Sequence, residues 1–488
     1  MDHNEQAGKN FAWLSAAQLG TRILGAAFFI FLSRKLLETG VGEYSFVSSF
    51  VPFWFILVDF GGAAYLFREW THGKKTAAEI KDDFHQLFTL RLLIVLAIGI
   101  PFLTVNYFIN RQVLGSLVLF YISMYLAMFT NLLDLYFQSQ NQYRYLAVRQ
   151  VIEKTTAVAA GVVLLLIHPS VIMVFVAILI SQLASIAYYY LATSPFGIKL
   201  VLRKEYAKKL FIKGMPFLFI GIFASLYAKI DVTMLRYMDN FQTVGYYGAA
   251  YKFMDFTALF SSLFISAIFP VLSPLWQGGK DSLAFNDFFQ KCFRILFSAG
   301  LLVALFLIVA APLLIKIFFP ASFGPSVLAL RILAIGQTLA FLSAIFSTML
   351  IIEGREKIGL AIIIFGAVFN IVLNFILIPR FSLYGSAWAT VIAEMGNLYL
   401  LQHFVSWKKP VNLLFKIVSV AGVNTVIFVF LKFTGLTNSL LAGTVILLTN
   451  AVILFTVKLL EKQDVALFVN PFLGKVKTLF GPLISNIF

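Results

Sequence analysis

The 488-residue sequence contains a single cysteine, Cys292, and only 12% of its residues are charged. One cysteine excludes an internal disulfide and any metal site that is built from several cysteines. The five histidines are scattered, and no two of them have the spacing of metal ligands. Ligand-spaced histidine and cysteine pairs are typical of metal sites in proteins. The sequence therefore predicts no bound metal and no organic cofactor.

Apolar residues make up most of the chain: 60% of the residues are hydrophobic and the mean hydropathy is +0.90. A soluble globular protein carries about 25% charged residues, twice the fraction found here. The longest polar intervals, near 68–85 and 194–213, are too short to fold as independent domains. The composition thus indicates a protein whose main solvent is a lipid bilayer.

A transmembrane helix needs about 20 mostly apolar residues. This criterion predicts an all-α integral membrane protein with about 14 transmembrane helices. The predicted spans lie near 11–33, 44–67, 87–108, 114–137, 145–167, 171–193, 215–238, 243–270, 292–319, 325–351, 358–378, 384–405, 412–434 and 439–460.

Lysine and arginine give the predicted topology. With the N-terminus inside, the loops on the cytoplasmic side hold most of them, as the positive-inside rule requires. Both termini are then cytoplasmic, and we expect a multi-pass protein of the cytoplasmic (inner) membrane. The basic loops of the cytoplasmic side account for most of the formal net charge of +16. It indicates contact with anionic membrane lipids and not with nucleic acid.

Two segments of the chain resemble each other: "VGEYSFVSSF" at 41–50 and "VGYYGAAYKF" at 244–253. The offset aligns spans 1–6 with spans 7–12, and an even number of helices per unit makes the two repeats parallel. The predicted organisation has an N-terminal six-helix lobe (1–198), a cytoplasmic linker (199–213), a C-terminal six-helix lobe (214–407), helices 13–14 (408–461) and a cytoplasmic interfacial tail (462–488).

Charged residues inside the predicted spans point to a function. A central charge costs about 2.5–3.5 kcal/mol on insertion scales, so each must face water, pair with an acid or reach the interface. Lys229 and Arg236 are seven residues apart and share one helix face, whereas Asp231 points roughly the opposite way. Arg22 lies deep in span 1, with Gln18 one turn before it. This pattern predicts a cationic cavity suited to an anionic headgroup.

Two interpretations of these cations remain open. Near the ends of spans, tertiary salt bridges are an alternative to substrate binding, and Arg149 is spaced to pair with Glu153 in its own helix. Asp59 and Glu394 are candidates for coupling to an ion, because they lie within spans without an obvious local partner. The predicted substrate-binding residues are Arg22, Lys229, Arg236, Lys252, Arg331, Arg91, Arg149, Lys154 and Gln18.

Four segments resemble the Wzx-type polysaccharide flippases, in the polysaccharide-transporter branch of the MOP superfamily. They are "LETGVGEYSFVSSF" after span 1, "DFGG" at 59–62, "KIDVTMLRYMDNFQTVGYYGAAYKF" across spans 7–8, and "FNIVLNFILIPRFSLYGSAWATVIAEM" at 369–395. The likeness covers roughly residues 11–410. The resemblance implies a MOP flippase-like fold, with two parallel six-helix repeats and two additional C-terminal helices.

The same resemblance implies a function. An undecaprenyl-pyrophosphate-linked oligosaccharide would cross from the inner to the outer leaflet by alternating access, with H⁺ or Na⁺ as possible coupling ions. A glycan polymerase and a ligase of the same pathway are the implied protein partners.

The alternatives are a peptidoglycan-precursor flippase and a MATE-type drug/cation antiporter; a membrane glycosyltransferase or polymerase is a further one. The basic bias disfavours the antiporter. The short, nearly acid-free outer segments disfavour an enzyme, so we expect a transporter without catalytic residues.

Overall fold

The computed structural model describes residues 3–71, 75–192, 197, 199–276, 279, 282–407 and 449 of the chain. Apart from residue 449 in span 14, the predicted spans 13 and 14 and the predicted interfacial tail lie outside these residues. The count of fourteen helices and the two C-terminal helices therefore stay predictions.

The described residues form eleven α-helices, and ten helical segments among them are long and apolar enough to cross a membrane. Each of the first twelve predicted spans overlaps one of these segments, which confirms an all-α membrane protein. The helices are α1 (His3–Asp59), α2 (Gly62–Thr71), α3 (Ala77–Ile109), α4 (Leu114–Ser139), α5 (Tyr143–Ile167), α6 (Val171–Ala192), α7 (Lys204–Met238), α8 (Phe241–Leu275), α9 (Leu283–Phe318), α10 (Ser326–Ile352) and α11 (Glu356–Phe404). Short 3₁₀ turns lie at Arg111–Val113 and Ala321–Phe323.

Helix α1 folds back on itself and accounts for two predicted spans. Leu37 interrupts it with φ 55° and ψ −170°, a conformation that is sterically costly for a leucine. A straight helix would separate Phe29 and Tyr44 by about 22 Å along its axis. Their ring centroids are instead 6.2 Å apart. The two segments of α1 are therefore neighbours, joined by a sharp bend at Leu37.

Helix α11 has the same construction. Ser382 interrupts it with φ 54°, and the Ser382 hydroxyl donates a 2.5 Å hydrogen bond to Asp239 Oδ2. On opposite sides of this bend, Gly366 and Asn397 approach so closely that a Cβ at Gly366 would lie 2.4 Å from Asn397 Oδ1. A straight helix would hold them about 46 Å apart. The bend thus accounts for predicted spans 11 and 12 within one element.

The motif "DFGG" at 59–62 ends the second predicted span, as expected. Phe60 and Gly61 both have positive φ, 40° and 76°. Here the chain leaves α1 and starts the short α2. A Cβ at Gly61 would lie 2.3 Å from the carbonyl oxygen of Gly214, so the turn packs directly on the backbone of α7.

The described chain divides into two compact units. The first comprises Met1–Lys252, Phe318–Phe323 and Ala367–Ser386, and the second comprises Phe253–Ile317, Gly324–Gly366 and the described residues from Ala387 onward. These units cut across the predicted lobes, whose boundaries stay predictions. Buried clusters stabilise each unit. One in the first unit surrounds Phe46 and Phe175, and the cluster of the second unit surrounds Phe293 and Trp407.

The two repeated segments pack against each other through glycines. A Cβ at Gly42 would lie 1.7 Å from the carbonyl oxygen of Phe241, and a Cβ at Gly245 would lie 1.9 Å from that of Glu38. The offset of 203 residues that aligns Gly42 with Gly245 also aligns Glu38 with Phe241. The contact is therefore reciprocal, as a two-fold axis between the two segments requires. Equivalence of the two complete six-helix sets stays a prediction.

The seam formed by Gly42 and Gly245 yields a test. We expect Gly42→Ala and Gly245→Ala each to lower stability, because the clash is with backbone that cannot rotate away; overpacking costs about 1–3 kcal/mol. Thermal unfolding of the purified protein in detergent measures the effect. Gly20→Ala is the matched control, since no atom lies within 4 Å of a Cβ there. Equal unfolding temperatures for all three variants would contradict the packing described.

Candidate anion-binding site

One face of the first α1 segment presents the deepest predicted cation. Gln18, Arg22, Gly25 and Phe29 follow one another at helical spacing and therefore line one stripe of the helix. The side chains of Gln18 and Arg22 are exposed in the structure. No ion pair of Arg22 occurs in the described part of the chain. The guanidinium is therefore accessible and carries its charge into this stripe.

The side chain of Lys154, from α5, meets this stripe at Gly25, one turn after Arg22. A Cβ at Gly25 would lie 2.8 Å from Lys154 Cε and 2.9 Å from Nζ. The missing side chain of Gly25 thus makes room for the ammonium group. Among the residues that the structure describes, Lys154 makes no ion pair with an acid. Lys154 also interacts electrostatically with Lys252 of α8 and with Glu153 of its own helix.

Lys252 of α8 reaches the next turn of the stripe. Its Nζ lies 4.8 Å from the ring centroid of Phe29. The Phe29 ring also contacts Tyr44 in the second segment of α1, and Tyr44 interacts electrostatically with Lys229. Aromatic side chains therefore connect the cations of the first α1 segment with those of α7.

Lys229 and Arg236 of α7 lie against aromatic rings. Lys229 Nζ is 4.7 Å from the Tyr251 centroid, and the Arg236 guanidinium carbon is 3.9 Å from that of Phe241. The quadrupole of an aromatic ring attracts a cation, but the ring has no net charge and therefore does not neutralise the cation. Arg236 also interacts electrostatically with Glu43, and its Nε is buried without a hydrogen-bond partner in the described structure. We call Arg22, Lys154, Lys252, Lys229 and Arg236 the cationic row.

Asp231 contacts Tyr247 of α8, one turn before the Tyr251 ring that Lys229 contacts, so its predicted orientation away from the two bases stays a prediction. It is 4% exposed, accepts a 2.5 Å hydrogen bond from the Tyr247 hydroxyl and accepts another from the Val232 amide at 2.8 Å. Both carboxylate oxygens are therefore bonded inside the protein. Of the three charged residues between 229 and 236 of α7, Asp231 is buried and the two bases are half-buried members of the row.

Arg91 is placed differently from the cationic row. It is buried, forms a salt bridge with Asp59 and donates weakly to the Met128 carbonyl at 3.4 Å. The same contact gives Asp59, a predicted coupling residue, a basic partner from another helix. A binding role for Arg91 and a coupling role for Asp59 stay predictions. In either role the residue would have to break this salt bridge.

Arg149 is the centre of a buried ionic network. It donates to both oxygens of Asp134, at 2.9 and 2.8 Å, and also pairs with Glu153 one turn away. Tyr189 donates to Asp134 as well, and Gln182 donates to Glu153 at 3.0 Å. The predicted Arg149–Glu153 pair is therefore present. Two acids and one base at this place indicate a structural connection between α4, α5 and α6.

The remaining predicted residues lie in the second compact unit. Arg331 of α10 donates from Nε to the carbonyl oxygen of Ile308 at 3.0 Å. Glu394 of α11 is half-buried. The binding role of Arg331 and the coupling role of Glu394 stay predictions.

Several residues of the site are not detectable in the sequence. Gly25 lies one turn after Arg22, and its spacing could have indicated a gap in the stripe. Phe29 and Phe241 are two among 54 phenylalanines, and nothing in their sequence neighbourhoods distinguishes them. Only the bend of α1 and the packing of α7 and α8 give these rings a cation to contact.

Metal binding has no visible site in the described part of the chain. No group of three or more histidine, cysteine, aspartate or glutamate side chains there could hold a metal ion. The expectation that the protein needs no cofactor is untested and stays a prediction.

Residues 7–276 match the family described as "Polysaccharide biosynthesis protein". This match covers more than half of the sequence. The chain belongs to the polysaccharide biosynthesis protein family. The resemblance noted in the sequence motifs is thereby confirmed.

Curated relatives of this family member match part of the chain. An uncharacterised membrane protein of Methanocaldococcus jannaschii is 27% identical over 214 residues, 43% of this chain and 39% of the relative. The "Capsular polysaccharide biosynthesis protein CapF" of Staphylococcus aureus is 24% identical over 212 residues, 43% of this chain and 53% of the relative. The chain thus spans about half the length of the curated relatives it matches.

Solved structures show the fold of this polysaccharide biosynthesis family member. "Lipid II flippase MurJ, inward closed conformation" superposes with a TM-score of 0.73 and 16% identity, covering 91% of this chain and 98% of MurJ. An inward-facing "multidrug resistance MATE family transporter of the MOP superfamily" superposes with a TM-score of 0.62 and 15% identity, covering 78% and 92%. The chain has the fold of the MOP superfamily.

The ionic network and the cationic row differ in their expected effect on stability. Arg149→Ala leaves Asp134 buried without its main partner, and breaking a buried pair costs about 3–5 kcal/mol. Arg22→Ala removes an exposed group and should leave the unfolding temperature nearly unchanged. Thermal unfolding in detergent distinguishes the two variants. Equal losses for both would contradict the division between structural and accessible cations.

Proposed function

We propose that this protein is a flippase for a lipid-linked sugar. The substrate is an undecaprenyl-pyrophosphate-linked oligosaccharide, the repeat unit of a polysaccharide, which moves from the inner to the outer leaflet by alternating access. The observation that carries the proposal is the cationic row, above all Arg22 and Lys154, which make no ion pair with the acids described. An anionic pyrophosphate supplies the charge that such cations require inside a membrane.

The geometry of the row supports a path with several weak sites. Arg22 and the Phe29 end of its stripe are about 10 Å apart along α1, and Lys229 and Arg236 are about as far apart along α7. A pyrophosphate that leaves one cation can therefore meet the next before it loses contact. Each step replaces lost hydration with a charge-assisted hydrogen bond. Several weak sites also let the substrate leave.

A peptidoglycan-precursor flippase is the second candidate. The superposition on MurJ favours a peptidoglycan-precursor flippase on the basis of the fold alone. A flippase of that class also transports an anionic lipid-linked sugar. The family membership favours a polysaccharide repeat unit. A drug/cation antiporter requires a site that attracts cations, whereas the positive charges of the cationic row repel them. An enzyme requires a catalytic arrangement, and none of the described residues forms one.

The cellular setting follows from the same proposal. The protein lies in the cytoplasmic membrane with both termini inside, next to membrane lipids, and delivers its substrate to a glycan polymerase and a ligase. Coupling to H⁺ or Na⁺ remains part of the proposal, with Asp59 and Glu394 as the residues to vary. Cysteines introduced near the termini and tested for labelling from each side would establish the orientation.

Transport of the glycan should depend on the cationic row. We expect Arg22→Ala and Lys229→Ala each to reduce export strongly, and Lys229→Arg to retain part of it because a positive charge remains. The measurement is surface glycan in cells that lack their own flippase gene, together with the membrane abundance of each variant.

Lys35→Ala is the matched control for these variants. Lys35 is an exposed lysine of the same α1 helix that lies over Phe31 and is not part of the row. It should export normally. Normal export by the Arg22→Ala, Lys229→Ala double variant would contradict the proposed substrate path. The two residues would then have a structural role only.

Gly25 allows a test that removes no charge. In Gly25→Ala the added Cβ displaces the Lys154 ammonium, which is the end of a flexible side chain, so folding should be unaffected while export falls severalfold. Gly20→Ala on the same helix, where a Cβ meets no atom within 4 Å, should export normally. If Gly25→Ala exported as well as Gly20→Ala, the position of Lys154 would not matter for transport.

A further inference from the structure

A basic and apolar surface surrounds the start of α7, away from the cationic row. The segment 199–213 contains six lysines and arginines and one acid, Glu205. It begins as an extended chain whose backbone is held by α3: Val201 N donates to Thr89 Oγ1 at 3.0 Å and Arg203 N to Gln86 Oε1 at 3.3 Å. These bonds fix the segment in place and leave its basic side chains exposed.

Two glycines bring a cation from another helix to this surface. A Cβ at Gly61 would lie 2.3 Å from the Gly214 carbonyl oxygen, and one at Gly214 would lie 2.6 Å from that of Phe60. This close approach puts α2 directly beside α7. As a result the Arg68 guanidinium carbon of α2 lies 5.5 Å from the ring centroid of Phe217 in α7.

Lys213 and Lys209 stand on the same side of α7 as this ring. Lys213 is one turn before Phe217 and Lys209 one turn before Lys213, and both are exposed. Side chains of a helix lean towards its N-terminus, so Phe217 covers the turn that carries Lys213. Lys213 therefore lies one helical turn from the ring that Arg68 contacts, although 145 positions separate the two cations in the sequence.

The exposed face of α7 changes from basic to apolar at this level. Phe211 is 44% exposed, Ile212 is 56% exposed and Phe219 is 50% exposed. The opposite face is buried, with Leu210 at 0% exposure. Phe211 and Ile212 lie between Lys209 and Lys213, and Phe219 lies beyond them. Cations among exposed apolar side chains match the boundary between lipid headgroups and acyl chains, where long basic side chains reach the interface.

We propose that Arg68, Lys209 and Lys213 bind the phosphate of an anionic phospholipid, whose acyl chains lie along Ile212 and Phe219. A phosphodiester matches the planar donors of Arg68 and the point charge of Lys213. A soluble acidic partner would leave the exposed apolar side chains uncovered, whereas a phospholipid covers both parts of the surface. The site is independent of the proposed substrate.

A fluorophore at position 212 tests this site. Ile212→Cys can be labelled selectively, because the natural Cys292 is 3% exposed. The labelled protein is placed in phosphatidylcholine vesicles that contain increasing amounts of spin-labelled phosphatidylglycerol or, separately, spin-labelled phosphatidylcholine. We expect half-maximal quenching at about a hundredfold less phosphatidylglycerol, since each of the three cations contributes roughly a fivefold preference.

Matched variants separate this site from general surface charge. Arg68→Gln with Lys213→Gln should reduce the preference to about fivefold, the contribution of the remaining Lys209, whereas Lys213→Arg should keep it. Lys35→Gln with Arg111→Gln removes the same charge elsewhere and should change nothing. Size-exclusion chromatography checks that every variant is folded.

Three results would overturn the proposal. The first is equal quenching by both lipids in the unaltered site. The second is an unchanged preference in the Arg68→Gln, Lys213→Gln variant. The third is loss of the preference when excess inorganic phosphate is added at constant ionic strength, because the site would then bind free phosphate. Quenching needs no glycan, so its failure would leave the proposed transport function untouched.

Discussion

The cost of a charge inside a membrane is the constraint on which this structure depends. An isolated cation at the centre of a span costs about 2.5–3.5 kcal/mol, and this chain has several cations within its predicted spans. It accommodates them in two ways. Arg91 and Arg149 are buried against carboxylates, where the bridges join helices. The cationic row instead lies along helix faces beside aromatic rings, with Arg22 and Lys154 outside any ion pair described. The first arrangement stabilises the fold, and the second can receive an anion.

Close backbone approach at glycines gives these charges their positions. Gly25 admits the ammonium group of Lys154, and Gly42 and Gly245 let the two repeated segments meet at their carbonyl groups. Gly61 and Gly214 let the backbones of α2 and α7 approach closely, which brings Arg68 beside Phe217. In each case a single Cβ would lie within 3 Å of a neighbouring atom. The placement of cations therefore depends on residues that carry no charge.

Much of the fold could be predicted because hydrophobic length is a local property. The first twelve predicted spans overlap the observed helices, and the pairing of Arg149 with Glu153 followed from their separation by one turn. The bridges from Arg91 to Asp59 and from Arg149 to Asp134 could not be predicted. They join residues on different helices, and their spacing in the chain says nothing about which helix faces meet. The division into compact units likewise differs from the predicted lobes, because contacts across helices decide it.

The sequence by itself determined that this is an all-α membrane protein of the polysaccharide biosynthesis family, since composition, span length and motifs are all carried by neighbouring residues. It also determined that cations lie within the predicted spans, and that Lys229 and Arg236, seven residues apart, share a helix face. Only the tertiary structure decided which cations are neutralised and which remain accessible. That difference depends on the bend at Leu37 and on helix packing at glycines, which bring together side chains far apart in the chain.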